Sequence, residues 1–98
     1  MEYPRHVAFA EVDWGEELYA ILRRQMIRQS FSFARLADRF QIVGLPETAK
    51  SLRAKLRETK VSATLYFQCL ALMDVYDLDD IGYSFKEVID RQREVAAD

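Results

Sequence analysis

Cysteine, histidine and glycine are scarce in this 98-residue sequence, which has one Cys, one His and three Gly. A lone cysteine, Cys69, can form neither an internal disulfide nor a zinc site, which is typical of a reducing setting. His6 has no carboxylate or cysteine cluster beside it, and no glycine-rich phosphate loop is present. We therefore predict that the protein is not an enzyme and that it binds no metal and no cofactor.

Long apolar runs are also missing. No run approaches the ~20 residues that span a bilayer, and residues 1–6 are not followed by an apolar signal-peptide core. We therefore expect a cytoplasmic protein without a membrane partner. Half of the residues are hydrophobic and 12% are aromatic, so the chain has the material for a packed core and does not have a disordered composition. Its length predicts a single domain over residues 1–98.

The net charge of −2 is distributed unevenly along the chain. Residues 1–22 have a balance of −4, residues 23–60 a balance of +7, and residues 61–98 a balance of −5. Although the overall sign argues against nucleic acid as a partner, this distribution predicts a basic face between two acidic ends. A solvated run of charges is the structural alternative.

The spacing of the apolar residues predicts an all-α fold, a compact bundle of about five helices. Asp13, Ser32, Ser62 and Ser84 are placed as N-cap residues, and Glu16 and Glu87 complete capping boxes. Gly44 predicts the end of the second helix, and Pro46 cannot continue it. The predicted helices cover residues 14–29, 33–43, 48–58, 63–73 and 84–96.

The fourth predicted helix is apolar on nearly every side, so its core-facing residues are not obvious. We expect Phe67, Leu70 and Ala71 in the core and leave Tyr66 and Met73 open. Cys69 is expected to be a small core residue. The acidic connector at 75–82 resembles a calcium loop only in part, because the glutamate at position 12 is missing. We predict a solvated loop there.

Two short helices joined by a turn at 44–47, the second of them basic, are what a helix-turn-helix DNA-binding unit requires. Arg53 and Arg57 lie four residues apart on one helix face, and Lys50 lies three residues before Arg53. Arginine can bind guanine bidentately, lysine can contact phosphate, and small side chains permit close approach to the groove. The predicted duplex-DNA contacts of this helix are Lys50, Ser51, Arg53, Ala54, Lys55, Arg57 and Lys60. Candidate backbone contacts elsewhere are Arg23, Arg24, Arg28, Arg35 and Arg39.

Residues 18–75 resemble the lambda-repressor/Cro-like helix-turn-helix domains. The resemblance lies in the basic run Leu22-Arg-Arg-Gln-Met-Ile-Arg28, the pair Leu36-Ala37, and an apolar helix at 63–73. The chain more closely resembles a family of small bacterial proteins of uncharacterised function, through Ser51-Leu-Arg-Ala-Lys-Leu56 and Tyr66-Phe-Gln-Cys-Leu70. The path from Leu36 to Leu56 is longer than in compact repressors, and Thr59 stands where relatives often carry glycine. The resemblance implies a helix-turn-helix unit at 13–75, followed by the connector and C-terminal helix at 76–98, and a role in transcription regulation.

A protein-interaction or oligomerisation module without DNA binding is the alternative that we keep open. The strongly apolar fourth helix and the acidic C-terminal helix both fit it. A homodimer fits either function, since a single helix-turn-helix usually needs two half-sites. We expect dimerisation through the stripe of the last helix, which contains Phe85, Val88 and Ile89.

Overall fold

The computed structural model describes residues 12–58, 60–77 and 79–97, without the side chains of residues 80, 92, 93 and 95–97. These residues form five α-helices and no strand. They are α1 (Trp14–Arg28), α2 (Phe33–Ile42), α3 (Ala49–Leu56), α4 (Ala63–Leu72) and α5 (Asp79–Ala97). The predicted all-α, five-helix fold is confirmed. His6 and Thr59 lie outside the described residues.

Three of the predicted N-caps are present. The side chain of Asp13 accepts a hydrogen bond from the Glu16 backbone N–H at 3.1 Å, and Ser32 and Ser62 act in the same way at the starts of α2 and α4. Helix α3 begins one residue later than predicted because Thr48 is its N-cap and forms a reciprocal capping box with Ser51. It ends two residues earlier than predicted, at Leu56. Each cap satisfies a backbone donor that the helix itself leaves unpaired.

The turn between α2 and α3 begins at Gly44, as predicted. Gly44 has φ +86, and the Leu45 N–H donates to the Phe40 carbonyl at 2.9 Å. The Gly44 N–H donates to the Gln41 carbonyl at 3.0 Å, which completes a Schellman motif. The connection from α2 to α3 comprises residues 43–48. These two backbone hydrogen bonds fix the conformation of its first residues, next to the end of α2.

The core is formed by helices α1 to α4. Its fully buried side chains include Leu22, Met26, Leu36, Phe40, Leu52, Leu56, Cys69 and Met73. Burial raises the pKa of the Cys69 thiol to about 12, in line with its predicted place in the core.

Two predictions for α4 are wrong. Phe67 is 59% exposed and Ala71 is also exposed, whereas Tyr66 and Met73 are buried. The other helices pack against one side of α4 only, the side of Leu65, Tyr66, Cys69, Leu70 and Met73. Because nearly every position of this helix is apolar, its sequence carries no signal for which side turns inward.

Helix α5 begins five residues before the predicted start, so the predicted loop at 75–82 is wrong from Asp79 onward. The Asp79 N–H donates to Asp77 Oδ1 at 2.9 Å. Ser84 is a buried residue inside the helix and not an N-cap, and its hydroxyl accepts a hydrogen bond from Arg24 Nη1 at 2.8 Å. Ser84 therefore bonds to a residue of α1 and does not cap the start of α5.

Helix α5 packs on α1 rather than standing apart. Val88 and Ile89 are buried within the single chain. An ion pair between Arg91 and Glu17 at 3.2 Å adds a polar contact between the two helices. Of the three residues predicted for a dimer interface, only Phe85 is exposed, at 51%.

Candidate nucleic-acid interface

Helix α3 presents three basic side chains on one side and a fourth on the other. Its inward side is formed by two buried leucines, Leu52 and Leu56. At 100° per residue, Lys50, Arg53 and Arg57 fall within about 60° of one another. Lys55 lies about 160° away from Arg53 by the same geometry. The helix therefore has an arginine side and a lysine side, and Ala54 is exposed between them.

The arginine side of α3 lies over two aromatic rings. The guanidinium carbon of Arg53 is 5.1 Å from the centroid of the Phe33 ring, and that of Arg23 is 5.0 Å from the same centroid. The Phe33 ring stacks on Tyr19 with centroids 6.5 Å apart, and Arg57 lies 5.0 Å above the Tyr19 ring. These distances are within the range of cation–π attraction.

A third aromatic ring, that of Phe31, also lies beneath arginines. The guanidinium carbons of Arg35 and Arg39 lie 4.2 Å and 4.8 Å from its centroid. Arg39 also donates to the Leu72 carbonyl at 2.7 Å and forms an ion pair with Asp74 at 3.1 Å. Phe31 and Phe33 flank the N-cap of α2, so both arginine groups lie around the start of that helix.

We call these five residues the arginine-covered surface: Arg23, Arg35, Arg39, Arg53 and Arg57. Each of their guanidinium carbons lies within 5.1 Å of an aromatic centroid. A ring beneath a guanidinium holds the planar group in place without using up its N–H donors. Arg35 Nη1 donates to the Ser30 carbonyl at 2.8 Å, and Arg39 and Arg57 have acidic partners. The donors that these contacts leave suit phosphate and guanine, which arginine binds through paired hydrogen bonds.

The lysine side of α3 is organised around a buried acid, Glu47. Lys55 Nζ contacts both carboxylate oxygens of Glu47, at 2.9 and 3.0 Å, and the Ser51 hydroxyl donates to the same group at 2.7 Å. The hydrogen bonds from Lys55 and Ser51 hold the pKa of the Glu47 carboxyl below its ordinary value. Gln41 Nε2 donates to the Glu47 carbonyl at 3.0 Å, which links this network to α2.

The remaining predicted contacts differ in what surrounds them. In the ranges that the structure describes, Lys50, Arg53 and Lys60 have no acidic partner within 4.0 Å. Arg57 forms an ion pair with Glu16 at 3.7 Å. Arg28 is exposed at the end of α1. On and beside α3, the cations without an acidic partner in the described ranges are therefore Lys50, Arg53 and Lys60.

Arg24 stands apart from the other predicted backbone contacts. It donates to Ser84 at 2.8 Å and lies 3.8 Å from a carboxylate oxygen of Glu87. Both partners belong to α5, so the contacts of Arg24 connect α1 to the C-terminal helix.

The sequence does not predict Tyr19, Phe31, Phe33 or Glu47 as parts of this site. One signal was available for the two phenylalanines, which flank the N-cap Ser32 within the most basic stretch of the chain. For Glu47, nothing local indicates that its side chain turns toward Ser51 and Lys55 instead of solvent.

The described ranges contain neither a metal-ligand cluster nor a membrane-spanning helix. Within 12–58, 60–77 and 79–97, no group of three or more His, Cys, Asp or Glu side chains could hold a metal ion. None of the helices in this part of the chain is long and apolar enough to cross a membrane.

Residues 14–78 match DUF6471, a domain of unknown function. The match covers α1 to α4 and ends just before α5. Comparisons with curated proteins and with solved structures gave no significant match. Since the match covers more than half of the chain, the protein belongs to the DUF6471 family.

Proposed function

We propose that this protein binds duplex DNA as a helix-turn-helix protein and acts in transcription regulation. Helix α2 and the six residues 43–48 lead into α3, the basic helix that enters the major groove. The observation that carries the proposal is the arginine-covered surface, in which five guanidinium groups lie over three aromatic rings. The resemblance to lambda-repressor-like domains supports the same function.

The residues of the interface divide into two roles. Lys50 and Ala54 project from the exposed side of α3, where a helix in the major groove faces base edges. The arginine-covered surface, with Arg28, contacts the phosphate backbone. Ala54 leaves room for the groove wall to approach the helix.

The hydrogen bonds around Glu47 support the proposal because they hold α3 rigidly in place. Ser51 and Lys55 were predicted as DNA contacts, but both are bonded to Glu47. Their role is to fix α3 relative to the residues that precede it. A connection of six residues is longer than the usual three or four of a helix-turn-helix. Bonds from Gln41, Ser51 and Lys55 hold it in one geometry.

Binding to random-sequence duplex DNA over a salt series tests the proposal. Each neutralised phosphate adds about 0.9 to the slope of log affinity against log salt, and six to ten contacts cost about 10³–10⁵-fold in affinity between 50 and 200 mM salt. We expect a steep slope of this kind. Absence of binding at the lowest salt would rule out DNA as the partner.

A matched pair of charge reversals locates the interface. Arg53→Glu should weaken DNA binding by about 30-fold or more, because it removes one contact and adds repulsion. Lys86→Glu makes the same charge change at an exposed residue of α5, where the lysine pairs with Asp90 at 3.6 Å. It should leave the affinity nearly unchanged. Equal losses in both variants would mean that net charge, and not the arginine-covered surface, governs binding.

The second candidate function is a protein-interaction module, and one observation favours it. Phe67 is 59% exposed on α4 beside an apolar groove, which a DNA interface on α3 does not explain. Loss of DNA binding in every assay together with self-association through this face would favour this candidate.

A further inference from the structure

Helix α4 presents an uncharged ridge to solvent. Ala63, Phe67 and Ala71 follow one another at intervals of four residues, and all three are exposed. The helix, Ala63–Leu72, contains no Asp, Glu, Lys or Arg. A row of residues at i, i+4 and i+8 is the kind of ridge that packs into the groove of another helix. Because Ala63 and Ala71 have small side chains, the backbone of a second helix can come close to the ridge on both sides of Phe67.

An apolar groove of about 290 Å³ lies directly beside this ridge. Its walls come from α1, α4, α5 and the segment before α4, and include Leu18, Val61, Tyr66, Leu70 and Ile81, with Phe67 itself at one edge. An apolar cavity of about 150 Å³ is enough to bind benzene. The groove can therefore receive one phenyl ring.

A projecting phenylalanine and a groove for a phenyl ring thus lie next to each other on one surface. A two-fold symmetric interface requires this arrangement, because each copy must offer both the inserting group and its receptor in the same patch. We propose that a second copy of this chain docks on α4, with the two α4 helices antiparallel and each Phe67 inserted into the partner's groove. In this arrangement Ala63 of one copy lies against Ala71 of the other, since both are four residues from Phe67.

Charge at the two ends of α4 supports a second copy as the occupant. Lys60 precedes the helix and has no acidic partner among the described residues. Asp74 follows the helix and pairs with Arg39 at 3.1 Å within the chain. The acidic Asp77 and Asp79 come soon after it and have no basic partner among the described residues. Antiparallel pairing brings the basic end of each α4 to the acidic end of the other, and it opposes the two helix dipoles favourably. Because Lys60 and Asp74 are both seven residues from Phe67, they meet on the two sides of the symmetry axis.

This dimer differs from the one that the sequence predicts through α5. Val88 and Ile89 are buried under α1 and cannot face a partner without unfolding of that contact. The α4 interface leaves α5 in place. It does not depend on DNA binding.

Sedimentation equilibrium of the 98-residue chain over a range of concentrations tests the proposal. The wild-type chain should dimerise, and Phe67→Glu should weaken dimerisation by about 100-fold or more, because each interface loses two buried aromatic anchors. Tyr83→Glu is the control, since Tyr83 is an aromatic residue of α5 that is 69% exposed. It should dimerise like the wild type. Circular dichroism should show unchanged helix content in both variants, because both positions are exposed.

A charge exchange tests the antiparallel register. Lys60→Asp alone places like charges at both contacts of its homodimer, and so does Asp74→Lys alone. Each variant should dimerise more weakly than the wild type, by about 10-fold. An equimolar mixture of the two variants should dimerise like the wild type, because residues 60 and 74 again carry opposite charges at both contacts of the mixed dimer.

A cysteine pair gives a readout that does not depend on charge. Ala63→Cys mixed with Ala71→Cys should form an intermolecular disulfide, whereas Ala63→Cys alone should not, because its two copies lie about 12 Å apart along the paired helices. The native Cys69 is fully buried and should stay unreacted. A wild-type chain that is monomeric at all concentrations, or a Phe67→Glu variant that dimerises normally, would overturn the proposal. Dissociation by Phe85→Glu but not by Phe67→Glu would assign the dimer to α5 instead.

Discussion

The two sides of α3 carry positive charge on residues only two positions apart, and they use it differently. Arg53 lies 5.1 Å from the ring centroid of Phe33 and has no carboxylate beside it in the described parts of the chain. Lys55 lies 2.9 Å from a carboxylate oxygen of the buried Glu47. An arginine over a ring keeps its charge available to an external anion, whereas a lysine bonded to a buried acid does not. The number of basic residues on a helix therefore overstates its capacity to bind phosphate.

The largest change in the free energy of unfolding should come from removing the Phe33 ring, which lies beneath the arginine side of α3. Phe33 is 6% exposed, so Phe33→Ala should lower the free energy of unfolding by about 3–4 kcal/mol, the usual cost of such a truncation. Urea denaturation measures it. Tyr83→Ala, at an aromatic residue that is 69% exposed, should cost less than about 1 kcal/mol. Similar costs at the two positions would show that the Phe33 ring is not packed as described.

Phe33→Leu distinguishes two roles of the Phe33 ring, its packing in the core and its contact with the arginines. Leucine keeps most of the buried apolar surface but has no π face for Arg23 and Arg53. We expect this variant to stay folded and to bind DNA more weakly than the wild type, by about 3- to 10-fold. Unchanged DNA affinity in a folded Phe33→Leu protein would mean that the aromatic ring has no part in presenting the arginines.

The next effect concerns the lysine side. Glu47→Gln should lower the free energy of unfolding by about 1–2 kcal/mol, because charge-assisted hydrogen bonds from Lys55 and Ser51 are lost or weakened. It should also release Lys55, and the slope of log DNA affinity against log salt should become steeper by up to about 1. Glu58→Gln changes the net charge equally at an exposed position. If Glu58→Gln matched Glu47→Gln in both measurements, the Glu47 network would have no special role.

The same network predicts a pH dependence. The pKa of Glu47 is lowered in the folded protein, chiefly by the hydrogen bond from Lys55. The unfolded chain therefore takes up a proton more readily, and the stabilisation is fully present above the ordinary glutamate pKa of 4.5 and is lost as the pH falls through the lowered value. Urea denaturation of the wild type and Glu47→Gln should differ by the full amount at pH 7 and converge as the pH falls below 4.5. If the two proteins differed in stability by the same amount at low pH as at pH 7, ionisation of Glu47 would not be the source of the difference.

The parts of this structure that the sequence predicts are those set by neighbouring residues. Asp13, Ser32 and Ser62 cap their helices through bonds that span three residues, and Gly44 ends α2 by its own backbone freedom. Such interactions are visible in a short window of sequence. They set where α1, α2 and α4 begin and where α2 ends, but not which sides of the helices face inward.

The parts that the sequence does not predict depend on distant contacts. Phe67 and Tyr66 are adjacent and both aromatic, and only the positions of the other helices decide that Tyr66 is buried, where its hydroxyl donates to the Leu18 carbonyl at 3.1 Å. Ser84 has the local pattern of an N-cap, but a bond from Arg24, sixty residues away, places it within α5. The arginine-covered surface is of the same kind, since Arg23 and Arg53 meet at Phe33 from different helices.

The smallest effects should come from truncating single lysines, and they test the contrast between the two sides of α3 most directly. Lys50→Ala removes an exposed cation with no acidic neighbour in the described ranges, so it should leave the free energy of unfolding within about 0.5 kcal/mol and lower the salt slope of DNA binding by about 1. Lys55→Ala should change the stability and not the salt slope. It should cost about 1 kcal/mol in stability, because Glu47 loses its main partner, and leave the salt slope unchanged. If both variants lowered the salt slope equally, Lys55 would exchange Glu47 for phosphate when DNA binds, and the two sides of α3 would act as one surface.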